Sequence, residues 1–183
     1  MTYTVHTLES APEAAKETLA GAKKAYGFVP NLLAVMAEAP ALLEAYRSLG
    51  ALFDKTSLSP SERQVVLLTA SYENVCEYCI AAHTVIAGMQ KVPNDVVQAI
   101  RDGKPILDRK LQSLRRFTAA IVNSRGWPSD ADTEAFLSAG YSRAQILEVV
   151  LGIGMKTLSN YTNHIADTPL DQAFAKSTWS KAA

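Results

Sequence analysis

Apolar residues recur at helical spacing along most of the chain. Leucine and aromatic residues stand mainly three or four positions apart over residues 42–52, and similar spacing returns over residues 107–121. This periodicity places the apolar side chains on one face of an α-helix. The run VVLLTA, which begins at Val65, is apolar on nearly every side and indicates a central helix. The pattern contains no convincing strand, so we predict an all-α fold.

Helix-forming residues, glycines and prolines divide the first third of the chain into short helices. The segment Pro12–Tyr26 is rich in Ala, Glu and Lys, and Gly27 follows it as a stop signal. Pro30 and Pro40 each open a further helix, because proline is tolerated in the first turn. Residues 1–56 are therefore predicted to form an N-terminal helical layer, which carries no chemical motif.

A serine followed three residues later by an acidic or amide side chain marks three helix starts in the rest of the chain. Gly152 and Gly154 lower the helix propensity of the last of these helices, so we expect both to serve close packing against a neighbouring helix. The length of 183 residues suits one domain. We predict a single domain over residues 1–183, with residues 57–183 as its core. The serine pairs are Ser59 with Glu62, Ser129 with Asp132, and Ser142 with Gln145.

The segment Glu73–His83, which reads ENVCEYCIAAH, contains both cysteines of the chain and one of its three histidines. Cys76, Cys79 and His83 follow the spacing C-x-x-C-x-x-x-H, which places their side chains on one face of a helix. We predict that this helix begins with Asn74 as its N-cap and the glutamate three residues later as the capping partner. The first cysteine then lies in the first turn, beside N–H groups that have no partner in the helix.

These residue types at this spacing favour thiol redox chemistry. A thiolate is the reactive form of cysteine, and a helix N-terminus or a neighbouring imidazole stabilises it. We predict that Cys79 reacts with an oxidant while His83 acts as its base, and that Cys76 then closes a disulfide. In a reducing cytoplasm, a C-x-x-C pair is typical of a redox-active site rather than of a structural disulfide.

Two other interpretations of the cysteine pair stay open. Free cysteines are often buried as inert core residues. The thiols and His83 could also bind a metal with His164 or Glu73 as the fourth ligand, but structural zinc sites usually draw their ligands from two segments and the chain has no second cysteine pair. We therefore predict no metal and no cofactor. The later polar cluster NYTNH, residues 160–164, is compatible with a functional site and with an ordinary helix end.

Composition narrows the range of partners. The formal net charge is zero and the isoelectric point is about 6.8, which argues against electrostatic binding of a nucleic acid. Residues 1–10 lack the basic start and apolar run of a signal peptide, and no segment reaches the ~20 apolar residues of a membrane span. We expect a soluble cytoplasmic protein with no nucleic-acid or membrane partner.

At the cysteine segment the chain resembles the alkylhydroperoxidase D-like group of the carboxymuconolactone decarboxylase superfamily. The resemblance is carried by Leu58–His83, and it extends to FVPNLLAVMAEAP before it and to GYSRAQILEVVLGIG and NYTNHIADTPLD after it. It implies an all-helical bundle assembled into symmetric homo-oligomers, often trimers or hexamers. It also implies reduction of a hydroperoxide, with Cys79 as the peroxidatic thiol, Cys76 as the resolving thiol and His83 in a proton relay.

The resemblance further implies a lipoyl- or thioredoxin-like dithiol protein that reduces the disulfide. The related peroxidases carry a relay glutamate twelve residues before the first cysteine, where this chain has Gln64. Glutamine neither takes up nor releases a proton at neutral pH, so we expect Glu73 to substitute for that glutamate. The alternative function is a disulfide-cycling redox sensor or binding module without efficient peroxidase turnover. Lactone decarboxylation is disfavoured by the cysteine pair.

Overall fold

The structure, a computed structural model, describes residues 3–181 and confirms the all-α prediction. Over these residues it has nine α-helices, one short 3₁₀ helix and no strand. None of the helices in the described chain has both the length and the apolar character to cross a membrane. The helices are α1 (Glu13–Tyr26), α2 (Asn31–Met36), α3 (Pro40–Phe53), α4 (Pro60–Glu73), α5 (Glu77–Met89), α6 (Asn94–Arg101), α7 (Arg109–Ser124), α8 (Asp130–Ser138) and α9 (Arg143–Ala166), followed by the 3₁₀ helix Gln172–Ser177.

The predicted serine caps are confirmed by hydrogen bonds. Ser59 Oγ accepts the backbone N–H of Glu62 at 3.3 Å, and a Glu62 carboxylate oxygen accepts the N–H of Ser59 at 2.8 Å. The same reciprocal pair caps α8 at Ser129 and α9 at Ser142. Gly27 ends α1 with a φ of 82°, a left-handed conformation that glycine adopts without steric cost. Each of these signals acts within one helical turn, so the sequence alone can locate them.

The central helix is α4, as its apolar sequence predicted. It packs against α5, α6, α7 and α9, and Val65, Val66 and Leu68 are completely buried. The larger of two apolar clusters surrounds it and includes the rings of Phe117 and Phe136, which stack with their centroids 4.3 Å apart. Burial of this apolar surface is the main favourable contribution to folding.

A second apolar cluster joins the N-terminal helices to the first half of α5. Leu19 of α1, Met36 of α2 and Leu43 of α3 are buried in it together with Cys76 and Cys79. Other apolar residues of α5 belong to the larger cluster. The N-terminal layer therefore covers both cysteines, a role that its sequence did not reveal.

The C-terminal segment is anchored beside the cysteine helix. The hydroxyl of Tyr78 donates a hydrogen bond to the carboxylate of Asp171 at 2.5 Å, and the same carboxylate accepts the N–H of Asn31 at 3.1 Å. The ring of Phe174 packs edge-on against Tyr78 with their centroids 6.0 Å apart. These contacts tie the end of the chain to α2 and α5.

Only one of the two glycines in α9 serves close packing within the chain. A Cβ atom at Gly152 would lie 2.8 Å from the ring of Phe53 and 2.9 Å from Cγ1 of Val66, so no larger residue fits without displacement. A Cβ atom added at Gly154 would have no neighbouring atom of residues 3–181 within 4 Å. The prediction of close packing is therefore wrong for Gly154 inside the chain, since that position faces outward.

Candidate active site

The cysteine helix begins two residues later than predicted. Asn74 is the C-cap of α4, and its side chain donates a hydrogen bond to Asn160 at 2.9 Å. Val75 then takes a φ of 54°, and Cys76 is the N-cap of α5. The tertiary contact with Asn160 engages the side chain that the cap would need, which is why the local signal was misleading. Cys79 is therefore the third residue of α5, in the turn whose N–H groups lack helical partners.

Both sulfurs face α9 and are shielded from solvent. Cys76 is 1% exposed and Cys79 is 2% exposed. The amide nitrogen of Asn163 lies 3.2 Å from the sulfur of Cys79 and 3.7 Å from that of Cys76. Ser159 Oγ lies 3.9 Å from the Cys79 sulfur. An N–H donor directed at a sulfur stabilises the thiolate relative to the thiol.

The polar groups near the thiols form a stripe along the inner face of α9. Its members recur at intervals of three and four residues, and the sequence had marked two of them, Asn160 and Asn163, without deciding between a site and a helix end. Both lie inside the helix and are buried, whereas Tyr161 and His164 of the same cluster are exposed. The stripe consists of Lys156, Ser159, Asn160 and Asn163.

Lys156 and Ser159 were missed in the sequence, although a signal for the lysine is present. Lys156 is the one Lys, Arg, Asp or Glu between residues 149 and 166. It also stands in helical register with Val149 and Gly152, which are buried. A single charge in register with an apolar face is expensive to bury and so indicates a functional group.

Lys156 is a buried cation beside the thiols. It is 1% exposed, and its Nζ has no hydrogen-bond partner within residues 3–181. Burial alone favours the neutral amine, but interactions with Cys79, Tyr46 and Cys76 raise the pKa of Lys156 above its ordinary value. Lys156 is therefore an ammonium that acts on the thiols through its charge.

The surroundings of the two cysteines shift their pKa values in opposite directions. Burial opposes the ionisation of Cys79, but its hydrogen bond with Cys76 and the charge of Lys156 bring the pKa of Cys79 well below its ordinary value. The hydrogen bond with Cys79, together with burial, raises the pKa of Cys76. Ionisation of the reduced site therefore favours Cys79 over Cys76, which is the order that their predicted roles require.

Comparison with known proteins relates one segment of the chain to a family and the whole fold to solved structures. The model of the carboxymuconolactone decarboxylase family matches residues 37–104. The fold is similar to that of an alkylhydroperoxidase D core, a peroxidase-related protein from Ralstonia eutropha, with a TM-score of 0.83 and 22% identity over 94% of this chain and 93% of that one. The chain therefore has an alkylhydroperoxidase D-like fold and contains a segment that matches the carboxymuconolactone decarboxylase family.

Two further solved structures share the alkylhydroperoxidase D-like fold. A peroxidase-related protein from a Silicibacter species has a TM-score of 0.80 and 18% identity, over 94% of this chain and 93% of that one. A variant of the debrominase Bmp8 in complex with 2,3,4-tribromopyrrole has a TM-score of 0.76 and 18% identity, over 90% of this chain and 89% of that one. No curated protein matches the chain by sequence. Likeness at these identities establishes the fold but not the chemistry.

His83 is a neutral imidazole in this alkylhydroperoxidase D-like fold. Its Nδ1 lies 3.0 Å from Gln64 Oε1, and Gln64 Nε2 donates to Gln90 at 3.1 Å. Burial, and to a smaller extent the charge of Lys156, hold the pKa of His83 well below its ordinary value. With Nδ1–H donating to Gln64, the Nε2 atom is free of a proton. The amide at position 64 therefore orients the imidazole but cannot exchange a proton with it.

The structure does not bring Glu73 or His164 together with the cysteines. The Glu73 carboxylate accepts a hydrogen bond from Asn123 of α7 at 3.1 Å, and His164 is exposed. The part of the chain between residues 3 and 181 contains no group of three or more His, Cys, Asp or Glu side chains placed to hold a metal. A relay role for Glu73 remains a prediction without a supporting contact.

An open apolar groove lies between α2, α3 and α9. Its cavity volume is about 340 Å³, and Val35, Leu42 and Ile165 are among its lining residues. Met36 belongs both to this lining and to the buried cluster that contains the cysteines. The groove therefore shares a side chain with the apolar surroundings of the thiols.

Proposed function

We propose that the protein is a thiol-dependent hydroperoxide reductase that works through a Cys76–Cys79 disulfide. The observation that carries the proposal is the burial of Lys156 beside Cys79, because a nearby cation maintains the reactive thiolate at neutral pH. The amide of Asn163 adds a donor within reach of both sulfurs.

The proposed cycle uses both thiols in turn. The Cys79 thiolate attacks one oxygen of the hydroperoxide, the O–O bond breaks, and the alkoxide leaves as an alcohol after it takes up a proton. Cys79 is then a sulfenic acid, which condenses with the Cys76 thiol to form the disulfide and water. A lipoyl- or thioredoxin-like dithiol reduces the disulfide by thiol exchange and is itself oxidised. His83 takes part in the relay through its free Nε2.

The intact mass of the reduced protein, measured before and after a small excess of cumene hydroperoxide, tests this proposal. We expect a rapid loss of two hydrogens that peptide mapping assigns to Cys76 and Cys79. The comparison oxidant is 2,3,4-tribromopyrrole, since the debrominase with this fold was solved in complex with it. Oxidation by the bromopyrrole alone would overturn the substrate class, and two free thiols with both oxidants would overturn the proposal.

A redox sensor is the second candidate, and Gln64 is the observation that favours it. An amide in place of a carboxylate leaves His83 without a group with which to exchange protons. A sensor would form the same disulfide but would not sustain turnover with dihydrolipoamide or reduced thioredoxin. Comparison of the first turnover with the steady-state rate separates the two functions.

We also propose that α9 forms an interface between copies of the chain. Its outer face carries apolar side chains at intervals of four and three residues, which is the spacing of helices that pack against each other. Leu147 is 70% and Ile165 is 67% exposed, and the open Gly154 would allow a close approach of the partner. This outer stripe consists of Leu147, Leu151, Gly154, Leu158, Tyr161 and Ile165. Leu151 and Leu158 are half-buried, and the last three residues also form a wall of the apolar groove.

Leu147→Glu is expected to convert the oligomer to a monomer, because it places a charge in the apolar interface. Leu107→Glu is the matched control, since Leu107 is 89% exposed and precedes α7 outside the stripe. Multi-angle light scattering at working concentration gives the mass of each protein. A monomeric unmodified protein, or equal dissociation by both substitutions, would contradict the interface.

A further inference from the structure

Among residues 3–181, the surroundings of Lys156 offer one counter-ion for its charge. Its neighbours Ser159 and Asn163, one and two turns further along α9, both approach the Cys79 sulfur. The titratable groups that act on it are Cys79 and Cys76 of α5 and Tyr46 of α3. An isolated ammonium is costly to bury, so its stability in this position depends on an opposite charge nearby. The Cys79 thiolate supplies that charge.

Disulfide formation removes this counter-ion. A Cys76–Cys79 disulfide carries no charge. The oxidised site would then contain a buried ammonium to which the described part of the chain, residues 3–181, offers neither an anion nor a hydrogen-bond partner. Tyr46, whose pKa is raised mainly by burial, and His83, whose pKa is lowered mainly by burial, are neutral at pH 7 and do not compensate. Release of a proton from Lys156 is the direct way to keep the buried site neutral.

We propose that Lys156 is the proton donor of the disulfide cycle, an ammonium in the reduced protein and a neutral amine in the disulfide form. The inference rests on the proposed function, because it requires the Cys76–Cys79 disulfide. It assigns to the lysine the proton that the leaving oxygen needs and that Gln64 cannot supply. The sequence alone gave no role to this residue.

The cycle balances with this assignment. In the oxidative half, the Cys79 thiolate, the Cys76 thiol, the Lys156 ammonium and a hydroperoxide become the disulfide, the amine, an alcohol and water. The O–O bond breaks, the S–S bond forms, and the lysine proton ends on the alcohol. In the reductive half, an external dithiol gives two electrons and two protons, which restore the Cys76 thiol, the Cys79 thiolate and the Lys156 ammonium. The buried site has no net charge in either state.

The proposal is tested by counting the protons taken up when the disulfide is reduced. The midpoint potential, measured in dithiothreitol redox buffers between pH 6 and 8, gives this number from its slope against pH. Absorbance at 240 nm, compared with that of Cys79→Ser, shows whether Cys79 is ionised in the reduced protein. We expect an ionised Cys79 together with two protons for two electrons, since one proton goes to Cys76 and the other to Lys156.

Lys156→Arg is the matched variant, because a guanidinium keeps its charge at any accessible pH. This variant should retain the Cys79 thiolate and take up one proton when its disulfide is reduced. Lys156→Met should lose the thiolate absorbance and take up two protons, both on sulfur. An unmodified protein with an ionised Cys79 and one proton would overturn the proposal while leaving the reductase intact. Absence of any disulfide would instead overturn the proposed function and this inference with it. The unmodified protein alone decides the outcome if a variant does not fold.

Discussion

Cys79→Ser is expected to reduce hydroperoxide-driven oxidation to the background of the buffer, whereas Cys76→Ser should react once and stop. A serine hydroxyl stays protonated at neutral pH, so the first variant has no nucleophile for the O–O bond even though Lys156 remains. In the second variant, Cys79 still becomes a sulfenic acid but has no thiol with which to condense. Intact mass should show one added oxygen on Cys76→Ser, and dimedone should trap it.

The two variants control for each other. Both replace a buried sulfur by an oxygen, at positions three residues apart at the start of α5. A general loss of structure would therefore affect both variants, and circular dichroism would detect that loss. An active Cys79→Ser protein would refute the assignment of the peroxidatic thiol. A sulfenic acid that appears on Cys79→Ser rather than on Cys76→Ser would reverse the two roles. Thiolate absorbance that persists in Cys76→Ser would separate the effect of Lys156 from that of the second thiol.

Gly152→Ala is expected to lower the free energy of unfolding by about 2 kcal/mol, because the added methyl group meets buried neighbours. It would lie 2.8 Å from the ring of Phe53 and 2.9 Å from Val66, and both side chains are completely buried. Alanine is more favourable than glycine in a helix by about 1 kcal/mol. The measured loss in the free energy of unfolding is therefore the cost of the steric contacts minus this gain.

Gly21→Ala is the matched control for this substitution. Gly21 lies within α1, and no atom would contact its added methyl group within 4 Å. The control should therefore gain about 0.5–1 kcal/mol from helix propensity alone. Urea unfolding measures both free energies. An equal gain at the two positions would show that Phe53 and Val66 can move aside, and that the close packing of α4, α3 and α9 is less restrictive than the structure indicates.

The fold follows from signals that act over one or two turns. The caps at Ser59, Ser129 and Ser142 and the stop at Gly27 are where the sequence placed them, because each depends on neighbours three or four residues away. Asn74 fails as a cap because its side chain bonds to Asn160 of α9. A contact that spans 86 residues leaves no trace in local spacing.

The candidate site likewise combines a local pattern, which the sequence shows, with distant contacts, which it does not. The cysteine spacing on α5 is a local pattern, and it pointed to the thiols and His83 without help from the structure. The groups that set the charge of the site come from α9, and Lys156 could be recognised only as an unexplained lysine in an apolar register. Glu73 was chosen for its closeness in sequence, but its side chain is engaged by Asn123 on α7.

Because the only two cysteines of the sequence are buried, the rate of thiol labelling reports local opening of the protein. A thiol reagent cannot reach Cys76 or Cys79 until the N-terminal helices separate from α5. That separation also requires the hydrogen bond between Tyr78 and Asp171 to break. Under reducing conditions, labelling kinetics therefore measure how often this part of the molecule opens, in the manner of amide hydrogen exchange. The hydroperoxide and the dithiol of the proposed function would face the same event, so the opening frequency would set an upper limit on their rates of reaction. A thiolate that is chemically fast would be slow in practice, and the N-terminal layer would decide how often it is used.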